Sequence, residues 1–215
     1  MHSRLNEKTC PEVKMTDPLE IWEGEFGKAY TDRNEIDWRA RLSAFQQMLA
    51  SLTIKRVLEV GCNRGHNLVC LAELLGEESD VVGVEPNRYA LELARASSVK
   101  VGVLYGQAFD LPFKDRYFDL VFTAGVLIHI PLEGLPLALN EIYRVSRRYI
   151  LAIEYFAQEE TVVHYRGHDS LLWKRDFLQH FRSQFPDLTL IRRGYWGPED
   201  GFDSTHWWLL EKAFS

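Results

Sequence analysis

The sequence predicts an α/β fold: a mostly parallel sheet of seven strands, closed by an antiparallel C-terminal hairpin and covered by helices on both faces. Three observations predict it. Five apolar runs alternate with helical patterns between residues 56 and 156, which is the rhythm of βαβ units with right-handed crossovers. The last two runs are separated only by "GPEDGFD", too short for a crossover helix, so they form an antiparallel pair. A glycine-containing turn ends the first run and leads straight into a helical pattern.

In chain order, residues 1 to about 17 are polar, contain Pro11, and read as a poorly ordered tail. "DPLEIWEGEFGKAYTDRNEIDW" (17–38) is acidic and aromatic and reads as short helix and loop. "RARLSAFQQMLASL" (39–52) carries apolar residues at 42, 45, 48, 49 and 52, a helical spacing. "RVLEVG" (56–61) is a strand, "HNLVCLAELL" (66–75) a helix, "DVVGVE" (80–85) a strand, "NRYALELARAS" (87–97) a helix and "VKVGVLYG" (99–106) a strand. The turn-rich "QAFDLPFKDRY" (107–117) leads to the strand "FDLVFTAG" (118–125), the helix "LEGLPLALNEIYRVS" (132–146) and the strand "RYILAIEYF" (148–156). "SLLWKRDFLQHFRSQF" (170–185) reads as a helix, and "LTLIRRGYW" (188–196) and "STHWWLLEK" (204–212) as the closing hairpin.

Bulk composition narrows the function. The chain has 215 residues, 46% apolar and 26% charged, enough for one domain with a sizeable core. A net charge of −6 argues against a nucleic-acid partner, whose footprint is a basic face. No apolar stretch approaches the roughly 18 residues of a membrane span, and the N-terminus has no apolar leader, so a cytoplasmic protein without membrane partner is expected. Cys10, Cys62 and Cys70 lack C-x-x-C spacing and read as free thiols, and the seven histidines lack ligand spacing, so no metal site is expected.

The loop "GCNRGH" is not the dinucleotide fingerprint, which would need glycine at 63 and 66. Gly61 and Gly65 let a ligand approach the backbone at the end of the first strand. Glu59 precedes them, placed to receive an ammonium group, which a dinucleotide lacks. Glu85 closes the second strand twenty residues beyond Gly65, where an acid accepts ribose hydroxyls. The loop therefore suits a ligand with a ribose and an amino-acid tail, S-adenosylmethionine.

The succession E-x-G-x-x-x-G, "GVE", "GQAFDLPF" and "FDLVFTAGVLIHI" resembles the class I S-adenosylmethionine-dependent methyltransferases, over about residues 40 to 212. The resemblance implies a Rossmann-like fold, a methyltransferase domain over 39–215 and an N-terminal extension, 1–38, closing over the site as a lid. It implies a cofactor site made of Glu59, Gly61, Cys62, Asn63, Gly65, Asn67, Glu85, Pro86, Gln107, Ala108, Phe109, Ala124 and Gly125. Asn63 replaces the usual middle glycine. Gln107 replaces the usual aspartate, and its amide oxygen can still meet the adenine amino group. "WEGEFGKAYTDRN", "VHYRGHDSLLWKRDF" and "FDSTHWWLLEK" further resemble the small methylases associated with pseudaminic acid biosynthesis, which implies an acidic sugar or sugar nucleotide of surface-polysaccharide synthesis as acceptor.

In such sheets the loops after the strands carry the acceptor site. Tyr155, Tyr165, Arg166, Lys174 and Arg175 form a basic, aromatic group that suits an acid, because arginine grips carboxylate or phosphate bidentately. A hydroxyl acceptor profits from a base. His129 and His168 are the candidates, with Glu154 or Tyr30 behind them. His129 reads equally as a base, as an orienting group, or as a histidine bonded to backbone. Trp22, Phe26 and Tyr30 form a stripe that is either a lid or helix core. A small-molecule N- or O-methyltransferase of another pathway, on an amine, a phosphonate or a natural product, keeps the same fold. A non-catalytic nucleotide binder is the other class of reading. A reductase would need the third glycine and a Tyr-x-x-x-Lys pair. The partner expected is a small molecule, and the assembly a monomer or homodimer.

Overall fold

The computed structural model describes residues 18–213, so the expected polar tail and Cys10 lie outside the described residues. The strands are β1 (Arg56–Val60), β2 (Asp80–Glu85), β3 (Val101–Tyr105), β4 (Phe118–Ala124), β5 (Ser146–Glu154), β6 (Thr161–Val162), β7 (Trp173–Lys174), β8 (Leu188–Trp196) and β9 (Thr205–Lys212). Seven of them form one sheet in the order β3-β2-β1-β4-β5-β9-β8, while β6 and β7 pair separately. The first five are parallel, and β9 runs antiparallel to both β5 and β8. This is the expected mostly parallel, Rossmann-like sheet with its antiparallel C-terminal pair.

The strands read as unbroken apolar runs because both faces are covered. Successive side chains still alternate. Leu120, Phe122, Leu151, Ile153 and Leu209 join α3 (Leu42–Met48) and α4 (His66–Leu75) on one face. Val121, Ile150, Ala152 and Leu210 join α6 (Leu135–Val145) and α7 (Phe177–Gln184) on the other. Strand order reverses between β1 and β4, so their crossovers leave in opposite directions and open a crevice at their carboxyl ends, where ligands bind in such sheets.

The helix ends follow local chemistry. α4 is preceded by Gly65, whose φ of +78° is left-handed, a conformation that glycine adopts without strain, and which faces Ala94 and Ser97 of α5 (Arg88–Ser97). α5 is capped by the Asn87 side chain, which accepts from the Ala90 N–H. The N-terminal stretch read as short helix and loop is two helices, α1 (Pro18–Glu23) and α2 (Glu25–Arg33).

One expected element is corrected. The helix read over 170–185 begins only at Phe177, where Asp176 caps it by accepting from the Gln179 N–H. Before it, Leu171, Leu172 and Trp173 are all buried, a run no single helix face produces. They are extended instead: the Val163 N–H donates to Leu172 O, and Thr161 and Val162 of β6 pair with Lys174 and Trp173 of β7.

Candidate active site

Gly61 and Cys62, at the end of β1, both donate their N–H groups to Val84 O of β2. Gly61 has a φ of +75°, and a Cβ there would lie 2.6 Å from Val126 Cγ2, so the turn leaves no room for a side chain. Asn63 takes the next left-handed position, at a φ of 46°, which asparagine tolerates better than most residues. Its side chain accepts from the Arg64 N–H and donates to Thr31 Oγ1 of α2, tying the turn to the N-terminal helices.

Two buried carboxylates flank this turn. Glu85 accepts from the Asn63 N–H at 2.8 Å and the Asn87 N–H at 2.9 Å, one bond per oxygen. Burial still outweighs these donors and pushes its pKa up to about 7. Glu59 accepts at Oε1 from the Asn67 amide at 2.6 Å, while Oε2 is buried and has no hydrogen-bond partner among the described residues. Burial pushes Glu59 up to about 8. Asn67 in turn accepts from Arg41 Nη1 at 2.7 Å, and Arg41 Nε donates to Gly201 O at 2.7 Å.

The crevice holds two adjoining chambers. One, of about 150 Å³, is lined by Glu85, Pro86, Gln107, Ala108, Phe109 and Trp22 among others. The second, of about 350 Å³, is lined by Glu59, Cys62, Asn67, Tyr155, Tyr165 and Arg166 among others. Tyr30, Gly61, Asn63, Ala124, Gly125 and His129 line both and so stand at the junction. Of the thirteen residues expected at the cofactor, only Gly65 lines neither chamber; it forms the turn behind them.

His129 has its position set from two sides. Its Nδ1 bonds Leu171 O; a carbonyl only accepts, so Nδ1 carries the proton and Nε2 keeps its lone pair. Burial pulls its pKa down to about 4, so the ring is neutral near pH 7. The turn that presents it (Leu127–His129) receives Glu154, fully buried, whose carboxylate accepts from the N–H groups of Val126, Leu127 and Ile128. Over His129 lies the aromatic stripe of α1 and α2. Trp22 meets the imidazole with ring centroids 4.3 Å apart, and Phe26 meets Tyr165 at 6.1 Å and His168 at 5.3 Å. The stripe therefore packs across the crevice, on residues from elsewhere in the chain. Burial also raises the Tyr30 phenol above its ordinary pKa, so it stays protonated.

The larger chamber has a basic wall that the sequence did not single out. Arg33, Arg41, Arg64 and His66 line it with Arg166, against Glu59 and Asp203. Burial and the neighbouring Arg41 and Arg64 pull His66 down to about 4. Four of the catalytic and acceptor candidates lie outside both chambers. Glu154 sits beneath the His129 turn. His168 packs on Phe26. The Lys174 ammonium lies 5.7 Å from the Tyr155 ring centre. Arg175 is buried, paired with Glu160 and donating to Ile130 O at 2.7 Å. Among the described residues, no group of three His, Cys, Asp or Glu side chains could hold a metal ion, and no helix is long and apolar enough to cross a membrane.

Comparison with known proteins bears on this geometry. Residues 57–148 match a family model described as a methyltransferase domain. An O-methyltransferase of Aspergillus nomiae is 32% identical over 107 residues, 47% of this chain and 46% of its own. A demethylmenaquinone methyltransferase of Lactiplantibacillus plantarum is 35% identical over 116 residues, 51% of this chain and 47% of its own. The chain spans less than half the length of the curated relatives it matches. In structure it resembles Burkholderia thailandensis 1,6-didemethyltoxoflavin-N1-methyltransferase, solved with 1,6-didemethyltoxoflavin and S-adenosylhomocysteine. The TM-score is 0.68 at 16% identity, covering 94% of this chain and 93% of that one. A SAM-dependent methyltransferase from Aquifex aeolicus matches with a TM-score of 0.64 at 17% identity, covering 92% of this chain and all of the other. Residues 57–148 are therefore similar to a methyltransferase domain, in a fold shared with S-adenosylmethionine-dependent methyltransferases.

Proposed function

We propose that this chain is an S-adenosylmethionine-dependent methyltransferase acting on a small acidic molecule. The observation that carries the reading is the pair of buried carboxylates on either side of the glycine turn, one with an orphaned oxygen, at the two ends of a continuous crevice. Glu59 Oε2 suits an ammonium group, Glu85 the ribose hydroxyls, and Gln107, Ala108 and Phe109 the adenine. Bound there, the cofactor supplies a methyl group on a sulfonium sulfur, electrophilic without further activation. The chain's part is alignment, exclusion of water and handling of the acceptor's proton. His129 Nε2 is the proton acceptor at the junction. Trp22, Phe26 and Tyr165 exclude water, and residues 18–38, the described part of the N-terminal segment, serve as a lid on the domain that follows. The bonds from the Asn87 amide to the carbonyls of Trp22, Glu23 and Gly24 support that role.

Arg33, Arg64 and Arg166 in the larger chamber support an anionic acceptor in a chain whose net charge is −6. An acidic sugar or sugar nucleotide is the first class to assay, and a phosphonate, which offers the same charge, is the second. Arg166→Ala should lower kcat/KM for the acceptor by about 10- to 100-fold, the scale of a lost charged hydrogen bond, and leave the S-adenosylhomocysteine Kd within about twofold. Arg166→Lys should recover only part, because an ammonium lacks the planar fork. Steady-state kinetics beside calorimetry decide it. Unchanged kinetics would make Arg166 a solvated surface charge, and joint loss of both bindings would make it structural.

Cofactor binding should release a proton. With Glu59 raised to about 8, the free protein holds that carboxyl mostly protonated at pH 7, and an ammonium partner requires the carboxylate. Affinity for S-adenosylhomocysteine should therefore rise between pH 6 and 8, by at most about tenfold per pH unit for one coupled proton. Calorimetry in two buffers of different ionisation enthalpy measures the released proton, and Glu59→Gln should abolish most of it. Identical heats in both buffers for the unaltered protein would exclude Glu59 as the ammonium's partner.

A further inference from the structure

We infer that Arg41 holds the carboxylate of the cofactor's amino-acid end, forming with Glu59 a single site that reads both charges of that end. The inference rests on the cofactor reading above. Arg41 lies in a short 3-10 turn (Trp38–Arg41) just before α3, far in sequence from the glycine loop, and lines the same chamber as Glu59. The two are joined through one side chain: Arg41 Nη1 donates to Asn67 Oδ1, and the Asn67 amide donates to Glu59 Oε1. Each end of this relay keeps capacity for a ligand. Among the described residues, the buried Glu59 Oε2 has no partner, and Arg41 has bonds at Nε and Nη1 and none at Nη2.

The guanidinium is held before any ligand arrives. Nε is fixed by Gly201 O at 2.7 Å, and the Phe202 ring lies 4.5 Å from the guanidinium carbon. A preorganised planar fork loses little entropy on meeting a carboxylate. The spacing of charges also has a chemical sense. Glu59 alone accepts any ammonium, but a carboxylate beside it would be repelled unless a cation stands nearby. Asn67 bridges acid and base at a fixed separation, the arrangement an α-amino acid requires. Gly201 and Phe202 belong to the loop between β8 and β9, which also lends Asp203 to the chamber, and Thr205 joins them from the start of β9. The amino-acid end thus meets a site whose parts come from the N-terminal segment, β1, α4 and the C-terminal hairpin.

The test is a ligand series on the whole protein by calorimetry. The probes are S-adenosylhomocysteine, its decarboxylated analogue that keeps the ammonium, and 5′-methylthioadenosine, which lacks the whole amino-acid end. The quantity that decides is the affinity ratio of S-adenosylhomocysteine to the decarboxylated analogue. The unaltered protein should favour S-adenosylhomocysteine by tenfold or more. Arg41→Met should bring the ratio within about threefold of one, leaving methylthioadenosine binding unchanged, and Arg41→Lys should give an intermediate ratio. Should Arg41→Met not fold, Arg41→Lys decides alone, since the ratio must fall at least threefold. Equal weakening of all three ligands would make Arg41 a scaffold residue and overturn the proposal, as would an unchanged ratio. If the unaltered protein binds methylthioadenosine but does not distinguish the other two, the carboxylate site is wrong while the cofactor reading stands. If it binds none of the three, the cofactor reading itself fails.

Discussion

Replacing His129 by alanine is expected to lower kcat by about 10²- to 10⁴-fold for a hydroxyl acceptor, and by much less for an amine. A hydroxyl must lose its proton as the new bond forms, whereas a neutral amine attacks with a lone pair it already has. Nδ1 is committed as a donor to Leu171 O, so Nε2 is the basic nitrogen, and no rotation of the ring exchanges them without breaking that bond. Burial lowers its pKa to about 4. The ring is then unprotonated throughout the neutral range, and the acid limb that it contributes should fall near pH 4, not 6.5. The same shift has a sign for stability. A folded pKa below the unfolded value means a contribution fully present above about 6.5 and lost as pH falls through 4. His129→Gln separates the roles, since an amide can keep a donor to Leu171 O but cannot take up a proton. Equal activity of the glutamine variant and the parent on a hydroxyl acceptor would remove the base and leave an orienting residue.

Glu85→Ala should weaken S-adenosylhomocysteine by about 1.5–3 kcal/mol, roughly 10- to 150-fold in Kd. Each Glu85 oxygen already accepts one backbone N–H, from Asn63 or Asn87, and each retains capacity for a second donor. Removing the carboxylate therefore takes away the ribose acceptors and leaves two N–H groups of the turn without partners. A melting curve beside the calorimetry apportions the loss. Glu85→Gln, which can satisfy only part of this set, should fall between. Undiminished binding by Glu85→Ala would show that the small chamber takes something other than a ribose. Binding of NADH without S-adenosylhomocysteine would point to a different cofactor altogether.

Much of the fold was legible in the sequence because both signals involved are local. Alternating apolar runs and helical spacings need only neighbouring residues, and the brevity of "GPEDGFD" alone forces the last two strands to be antiparallel. Gly61, Asn63 and Gly65 were legible for a related reason: a left-handed turn constrains residue type where it occurs. The failure over 170–185 has the opposite cause. Its polar second half is a helix, but Leu171 to Trp173 are drawn into an extended strip by β6 and by the carbonyl that holds His129.

By itself the sequence determined the sheet's class, the turn and the two carboxylates that frame it, since each depends on short spacings along one strand–turn–helix unit. Only the tertiary structure decided which charges face the crevice. Arg175 has the composition of an acceptor residue, yet it is buried away from both chambers, with Nε on Glu160 and Nη1 on Ile130 O. Arg33, Arg41 and Arg64, which no motif marks, converge on one chamber from α2, a 3-10 turn and the glycine loop. A charge acts according to its distance from other charges and from water, and strand reversal at β1 and β4 brings together residues whose separation in sequence says nothing of that distance.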